Sequence, residues 1–128
     1  MPKSTEILET FLKSMHSCDI DKVMESFTND STWQNVPHLP AQGLTEIRTM
    51  FETIMRRSSK IQWDIVSASF DKDRAWIERV DRFWIDGTEY AVKCNGVFDF
   101  DSSSSSIQSV RDYVDLGEWR SRLSQAHL

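Results

Sequence analysis

The chain has 128 residues, 39% of them hydrophobic, which suits one domain over residues 1–128 with a single core and excludes two domains. Its 15 basic and 20 acidic side chains give a net charge of -5 with no basic tract, which argues against nucleic-acid binding. No apolar run approaches the roughly 20 residues of a membrane helix, and the N-terminal segment lacks the apolar core of a signal peptide, so we expect a cytoplasmic protein that binds no membrane.

The N-terminal part of the chain predicts two helices. Apolar residues recur with the spacing of one helical face over residues 5–17. A shorter second helix is expected directly after it, with Asp19 or Asp21 as its N-terminal cap. Each helix would turn one apolar face towards the core.

A short strand and a third helix are expected next. The segment STWQNVPHLP is extended and ends at prolines, and its alternation places Trp33 and Asn35 on one face. Beyond Gly43, Thr45 can cap a helix whose apolar stripe continues to Met55. The first half of the chain is therefore mainly helical.

From residue 60 onward the apolar period changes to two. Four long strands are predicted, over residues 60–70, 74–85, 88–100 and 106–116. The motifs DKDR and DGT between them are tight hairpin turns, DSSSSS is a hairpin tip, and GEWRSRLSQ is a short closing helix.

The order of these elements predicts an α+β fold. A curved antiparallel sheet of four to six strands would form a cone covered by the three N-terminal helices. The mouth of such a cone is a natural pocket for a small molecule.

Charged residues interrupt the face of the strand WIERVDRFWI that is expected to be buried. By alternation Arg79 and Asp81 share a face with Ile77 and Phe83, and on the last strand Asp112 lies among valines. An unpaired buried carboxylate costs several kcal/mol, so an interior Asp needs a partner. Arg79 is the available partner for both carboxylates.

Two interpretations of this Asp-Arg-Asp set stand side by side. Two carboxyl groups bridged by one guanidinium can hold different protonation states and serve as acid and base, with Asn35 orienting a water molecule. The same set can instead be a buried ion network that only fixes the register of the strands. Alternation alone does not decide between them.

Five short features occur in order along most of the chain: QNVP at 34–37, Gly43, ERVD at 78–81, NGVF at 95–98 and RDYVDL at 111–116. In this order they resemble the limonene-1,2-epoxide hydrolase family, a branch of the cone fold shared with nuclear transport factor and the SnoaL-type polyketide cyclases. The resemblance implies hydrolysis of an epoxide in one step, without a metal, another cofactor or a covalent intermediate.

The resemblance also implies a role for each polar residue. Asp112 would take a proton from water, Asp81 would protonate the epoxide oxygen, Arg79 would orient both carboxyls, and Asn35 would hold the water. The family uses a tyrosine hydroxyl to hold the water where this chain has Trp33, whose indole N–H donates a hydrogen bond but cannot accept one. The water is then held by Asn35 and Asp112 alone, or the site has moved away from hydrolysis.

An apolar cavity wall follows from the same resemblance, and it predicts an apolar substrate. Its expected residues are Met15, Ile54, Phe83, Val92, Cys94 and Val114.

Three functions are thus open. The first is hydrolysis of a small apolar epoxide of terpenoid or polyketide type. The second is an isomerase or cyclase of secondary metabolism that uses the same acid and base on a polyketide or terpenoid intermediate, and Trp33 motivates it. The third, ranked last, is a binding module in which the charged residues are structural.

Partners and metals can also be addressed from the sequence. The two cysteines and three histidines show no metal-ligand spacing, so no metal is predicted and both cysteines are expected to be reduced. Four tryptophans are expected to form a patch on the outer face of the sheet, which predicts a homodimer. They are Trp63, Trp76, Trp84 and Trp119.

Overall fold

The change of apolar period near residue 60 separates a helical half from a sheet. A computed structural model describes residues 3–128, and in them four helices and six strands are present. Their bounds are α1 Lys3–His16, α2 Ile20–Met24, β1 Thr32–Val36, β2 Ala41–Gln42, α3 Gly43–Met55, β3 Lys60–Asp71, β4 Arg74–Ile85, β5 Thr88–Asp101, β6 Ser106–Val114 and α4 Leu116–Gln125. The α+β class and the order of the predicted elements are confirmed. No helix within 3–128 combines the length and apolarity that a membrane span requires.

A capping residue explains where α2 begins, and a glycine turn explains where α3 begins. Asp19 caps α2, its side chain accepting from the backbone N–H of Asp21 at 3.1 Å, as the sequence predicts. The expectation that Thr45 caps α3 is wrong, because α3 begins two residues earlier at Gly43. The positive φ of +80° at Gly43 lets the chain turn there directly from β2 into the helix.

One six-stranded sheet has the order β2-β1-β6-β5-β4-β3. Strands β3 to β6 form the expected antiparallel meander, with Asp86 and Gly87 both at positive φ in the turn between β4 and β5. Strand β1 instead pairs in parallel with β6, which places Asn35 directly beside Asp112. This pairing brings the early strand to the centre of the site.

An aromatic cluster fills the space between the helices and the concave face of the sheet. The Phe11 ring on α1 lies 5.7 to 6.3 Å from five other aromatic rings, and it is fully buried. The five rings are those of Phe27, Trp33, Phe51, Trp63 and Phe98. Offset and edge contacts of this kind stabilise a core beyond the area that they bury.

The outer face of the sheet differs from the expected patch of four tryptophans. Trp76 is 44% exposed there, but Trp63 and Trp119 line a partly open cavity and Trp84 is half-buried beneath Lys60. Trp63 shares the inward face of β3 with the buried Ile61. The prediction that all four tryptophans form one patch on the outer face is therefore wrong.

Candidate active site

Three neighbouring strands bring Arg79, Asp81 and Asp112 together on the concave face. Arg79 and Asp81 lie two residues apart on β4, and Asp112 lies on β6, across the intervening β5. Gly96 on β5 pairs directly with Asp112 and makes the approach possible. A Cβ atom at Gly96 would lie 2.5 Å from Asp112 Oδ1 and 2.6 Å from Arg79 Nη1, so no larger residue fits without displacement.

The guanidinium of Arg79 binds both carboxylates through paired hydrogen bonds. It donates to Asp81 from Nε at 2.7 Å and from Nη2 at 3.0 Å. It donates to Asp112 from Nη1 at 2.9 Å and from Nη2 at 2.6 Å. Arg79, Asp81 and Asp112, which we call the inner network, are thus connected as the sequence predicts.

Two aromatic rings complete the surroundings of the guanidinium. The ring centroid of Trp63 lies 4.3 Å from Arg79 Cζ, and that of Phe98 lies 5.8 Å away. A cation over an aromatic face is attracted by the ring quadrupole, and more strongly where water is excluded. Arg79 is only 1% exposed, so these rings replace water around its charge.

The electrostatics of the inner network differ from those of surface ion pairs. Burial raises the pKa of Asp81 to about 6, although the charge of Arg79 acts in the opposite direction. Burial alone would lower the pKa of Arg79, but Asp112 and Asp81 outweigh it and raise that pKa well above its usual value. A carboxyl group with a pKa near 6 can deliver a proton near neutral pH.

The inner network faces an apolar cavity of about 90 Å³. All six residues expected on its wall lie there: Met15, Ile54, Phe83, Val92, Cys94 and Val114. Side chains that the sequence did not assign to the wall also line it, and they are Met50, Phe51, Met55, Ile61, Trp63 and Trp119. Their helical or strand periodicity shows that these side chains point inward. It does not show which of them border the cavity.

Trp33 and Asn35 both line the cavity, as their shared face on β1 predicts. The Asn35 amide makes one side-chain hydrogen bond in the described residues, donating to the thioether of Met50 at 3.9 Å. Within 3–128 the Trp33 indole N–H has no protein acceptor, and no fully buried polar side-chain atom lacks a partner there. The indole nitrogen is therefore not fully buried, although Trp33 as a whole is only 2% exposed, and its N–H is free to donate to a ligand or to water in the cavity that Trp33 lines.

Cys94 lies beside the inner network without the properties of a nucleophile. Burial raises the pKa of its thiol, so the sulfur is held in the neutral form. Donor atoms of Cys94, Asp81 and Asp112 lie within 4.8 Å of one another, a spacing that a metal ion could bridge. Both carboxylates already accept from Arg79, however, and its positive charge opposes a cation at the same point.

Sequence reasoning missed two residues that shape the site. Gly96 provides the space in which Arg79 and Asp112 meet, and Trp63 covers the guanidinium. Gly96 lies in the NGVF motif, at a strand position that alternation assigns to the inward face. A glycine where an apolar side chain is usual indicates a close approach by another group, and this signal is visible in the sequence. Trp63 alternates with Ile61 on β3, but only the register that sets it opposite Asp81 reveals its partner.

Comparison with known proteins gives a family and several structural relatives. The model of the SnoaL-like domain family matches residues 8–104. An LEH-like epoxide hydrolase of M. tuberculosis is 22% identical, with a TM-score of 0.78 over 97% of this chain and 91% of the other. BvnE pinacolase of Penicillium brevicompactum is 13% identical, with a TM-score of 0.83 over 97% and 92%. SalBIII, an epoxide hydrolase/cyclase-like enzyme of pyran ring formation in the polyether salinomycin, is 17% identical, with a TM-score of 0.78 over 91% and 93%.

Proposed function

The chain belongs to the SnoaL-like domain family, and we propose that it is an epoxide hydrolase that adds water to a small, mostly apolar epoxide. One observation carries the proposal: Asp81 and Asp112 share Arg79 at the wall of an apolar cavity. Opening a strained ether needs one group that delivers a proton and another that removes one. The inner network supplies both within a single site.

In the proposed reaction the water oxygen attacks one epoxide carbon and the carbon–oxygen bond breaks. Asp112 accepts the proton that the water loses, and Asp81 gives its proton to the departing oxygen, so the product is a 1,2-diol. With a pKa of about 6, Asp81 carries its proton in roughly one molecule in ten at pH 7. Proton exchange with solvent then restores both carboxyl groups.

Arg79 and Asn35 are assigned positioning roles in this reaction. Arg79 holds both carboxyl groups through four hydrogen bonds, which fixes their angle to the cavity. Asn35 pairs with Asp112 across β1 and β6, so its amide is placed to hold a water molecule beside the base. The cavity wall of Met15, Ile54, Phe83, Val92, Cys94 and Val114 would hold the apolar part of the substrate.

A second candidate is an isomerase or cyclase that acts on a polyketide or terpenoid intermediate. Trp33 favours it, because the indole N–H at the cavity wall can only donate, so it cannot accept a hydrogen bond from a bound water. In this reaction Asp112 would deprotonate the substrate itself while Asp81 protonates the departing oxygen. The product would then keep the mass of the substrate.

The experiment that separates these functions uses a panel of apolar epoxides in water enriched in heavy oxygen. We expect diols that carry one solvent oxygen, detected by mass spectrometry. Formation of these diols should fall by at least about 100-fold in Asp112→Asn. The matched control is Asp64→Asn, since Asp64 pairs with Arg82 instead of Arg79.

Each other outcome has a definite meaning. Undiminished diol formation in Asp112→Asn removes this residue from the mechanism. An isomer of unchanged mass supports the isomerase or cyclase. Saturable binding with no product from any compound supports a binding module in which the inner network is structural.

For the assembly, we propose a homodimer through the outer face of the sheet. Trp76 is 44%, Tyr113 51% and Val66 61% exposed, and Tyr113 lies in grooves that contain each of the other two. Exposed large apolar side chains that lie near one another on one face of a sheet favour association. Sedimentation at micromolar concentration should give twice 14.9 kDa, and a species of 14.9 kDa alone would contradict the proposal.

A further inference from the structure

A second depression adjoins the cavity at the edge of the sheet. We call it the outer groove; it has a volume of about 450 Å³ and runs along the first half of α3 and the segment between β1 and β2. Trp33, Asn35 and Met50 line both the cavity and the outer groove. Three side chains therefore form the partition between them.

Met50 is the part of this partition that can move. It is half-buried on α3, and its thioether contacts the Asn35 amide at 3.9 Å, a weak interaction. Methionine is unbranched and adapts its rotamer readily. A change at Met50 would join the cavity to the outer groove without disturbing a strand.

The size of the inner cavity calls for such a connection. Its volume of about 90 Å³ is smaller than the roughly 150 Å³ of a cavity that holds one benzene molecule. Sites that enclose a whole small molecule usually offer about 300 Å³ or more. The inner cavity alone therefore accommodates only the reacting part of a substrate.

Polar groups on α3 define what the outer groove can bind. Glu46 contributes its carboxylate, of which Oε1 accepts the Gln42 backbone N–H at 3.0 Å while Oε2 makes no hydrogen bond in the described residues. Thr45 and Thr49 contribute hydroxyl oxygens. His38 adds an imidazole, and neither lysine nor arginine is among the described residues that line the groove. A neutral end that donates hydrogen bonds fits these acceptors, whereas a carboxylate or phosphate would meet Glu46 as a like charge.

We propose that the substrate has two parts: an apolar, epoxide-bearing part in the inner cavity and a neutral, hydroxylated arm in the outer groove, with Met50 setting the passage between them. This inference rests on the proposed hydrolase function and specifies its substrate class. Glu46 then selects against acidic arms, and Met50 limits the thickness of the arm at the partition.

The test uses one cyclic epoxide that carries arms of equal length ending in a hydroxyl, a methyl or a carboxylate group. We expect kcat/KM to be highest for the hydroxyl arm and at least about tenfold lower for the carboxylate arm. Glu46→Gln should bring the carboxylate arm to within about twofold of the hydroxyl arm. Glu9→Gln, the same change at an exposed site on α1, should leave the preference unchanged.

A second variant tests the passage. Met50→Ala should raise kcat/KM for the armed epoxides relative to the same epoxide without an arm, because the partition is thinned. Equal turnover of the three arms, or a preference that Glu46→Gln does not alter, would overturn the inference.

Failure of the inference is distinguishable from failure of the hydrolase proposal by binding measurements. The corresponding alkenes, which lack the epoxide oxygen, are titrated by calorimetry with the same three arms. Suppose that no epoxide is converted, but that the alkene with the hydroxyl arm binds most tightly and loses this preference in Glu46→Gln. That result supports the two-part substrate and contradicts the hydrolase proposal. If diols form with no preference among the arms, hydrolysis stands and the outer groove is not part of the site.

Discussion

Strand β4 carries three arginines, and two of them, Arg79 and Arg82, each bridge two carboxylates. Alternation along the strand sends one to the concave face and the other to the outer face. The inner network is Arg79 with Asp81 and Asp112, and the outer network is Arg82 with Asp64 and Glu89. The same ionic groups therefore occur in two environments on one strand.

Burial makes these two networks physically different. The side chain of Arg79 is 1% exposed and that of Arg82 is 32% exposed. Burial raises the pKa of Asp81 to about 6, whereas hydrogen bonds from Gln62 and then Arg82 lower the pKa of Asp64. Folding takes the charges of the inner network out of water, which costs several kcal/mol per ion. The charges of the outer network stay partly in water, so their desolvation costs much less. An ion network acquires perturbed acid–base properties through its surroundings, and the residue types alone do not confer them.

The largest expected effect on stability comes from removing Arg79, with the removal of Arg82 as the comparison. Arg79→Met should lower the free energy of unfolding by about 3–5 kcal/mol, because two buried carboxylates lose their partner. Arg82→Met should lower it by no more than about 1 kcal/mol, since its partners remain in water. Urea denaturation at pH 7 measures both values.

Arg79→Lys provides a control that retains the charge. Lysine keeps the positive charge but cannot donate paired hydrogen bonds to both carboxylates. We therefore expect its free energy of unfolding to lie between those of the wild type and Arg79→Met. Comparable losses of under 1 kcal/mol in Arg79→Met and Arg82→Met would show that burial does not separate the two networks.

Local periodicity explains why most of the inner network was predictable. The bounds of β4 are those predicted, and alternation correctly placed Arg79 and Asp81 inward with Phe83. The same period placed Asp112 inward on β6. The alternation of apolar and polar residues within a strand shows by itself which face is buried. The inward face can therefore be recognised without knowing which strands lie beside it.

Features that depend on pairing between distant segments were not predictable. The parallel pairing of β1 with β6 joins residues more than 70 positions apart, and no local signal specifies it. Trp63 was expected outside, but its position opposite Asp81 places it over Arg79. Thr45 was a plausible helix cap by residue type, yet the backbone turn at Gly43 decided where α3 begins. The roles of the site residues in a reaction stay predictions.

An intermediate effect is expected in the pH dependence of stability. Folded Asp81 keeps its proton up to about pH 6, whereas in the unfolded chain it loses it near pH 3.9. Between these values the folded state binds more protons, so the stability that Asp81 contributes falls as the pH rises from about 4 to 6. The full fall is about 3 kcal/mol, and Asp81→Asn should abolish it.

Asp64→Asn is the control from the outer network. The pKa of Asp64 is lowered, so its contribution to stability is present above the unfolded value and is lost only as the pH falls through the folded one. The difference between wild type and Asp64→Asn should therefore show no fall from pH 4 to 6. Chemical denaturation across this range measures both differences, and equal slopes for the two variants would contradict the contrast.

The smallest expected effect comes from changing one buried and one exposed residue of β5 to alanine. Gly96→Ala would place its Cβ 2.5 Å from Asp112 Oδ1 and 2.9 Å from Phe98 Cε1, so the inner network or the ring has to shift. Crowding of this kind usually costs about 1–3 kcal/mol. Thr88→Ala, at the exposed start of β5, should change stability by no more than about 0.5 kcal/mol.

The sign of the Gly96→Ala effect is informative because glycine itself weakens a strand. Without crowding, alanine would stabilise β5 by about 0.5–1 kcal/mol relative to glycine. A loss of stability together with a loss of diol formation would show that the inner face has no space beyond that of the glycine. A gain of stability would show instead that Arg79 and Asp112 relax around the methyl group.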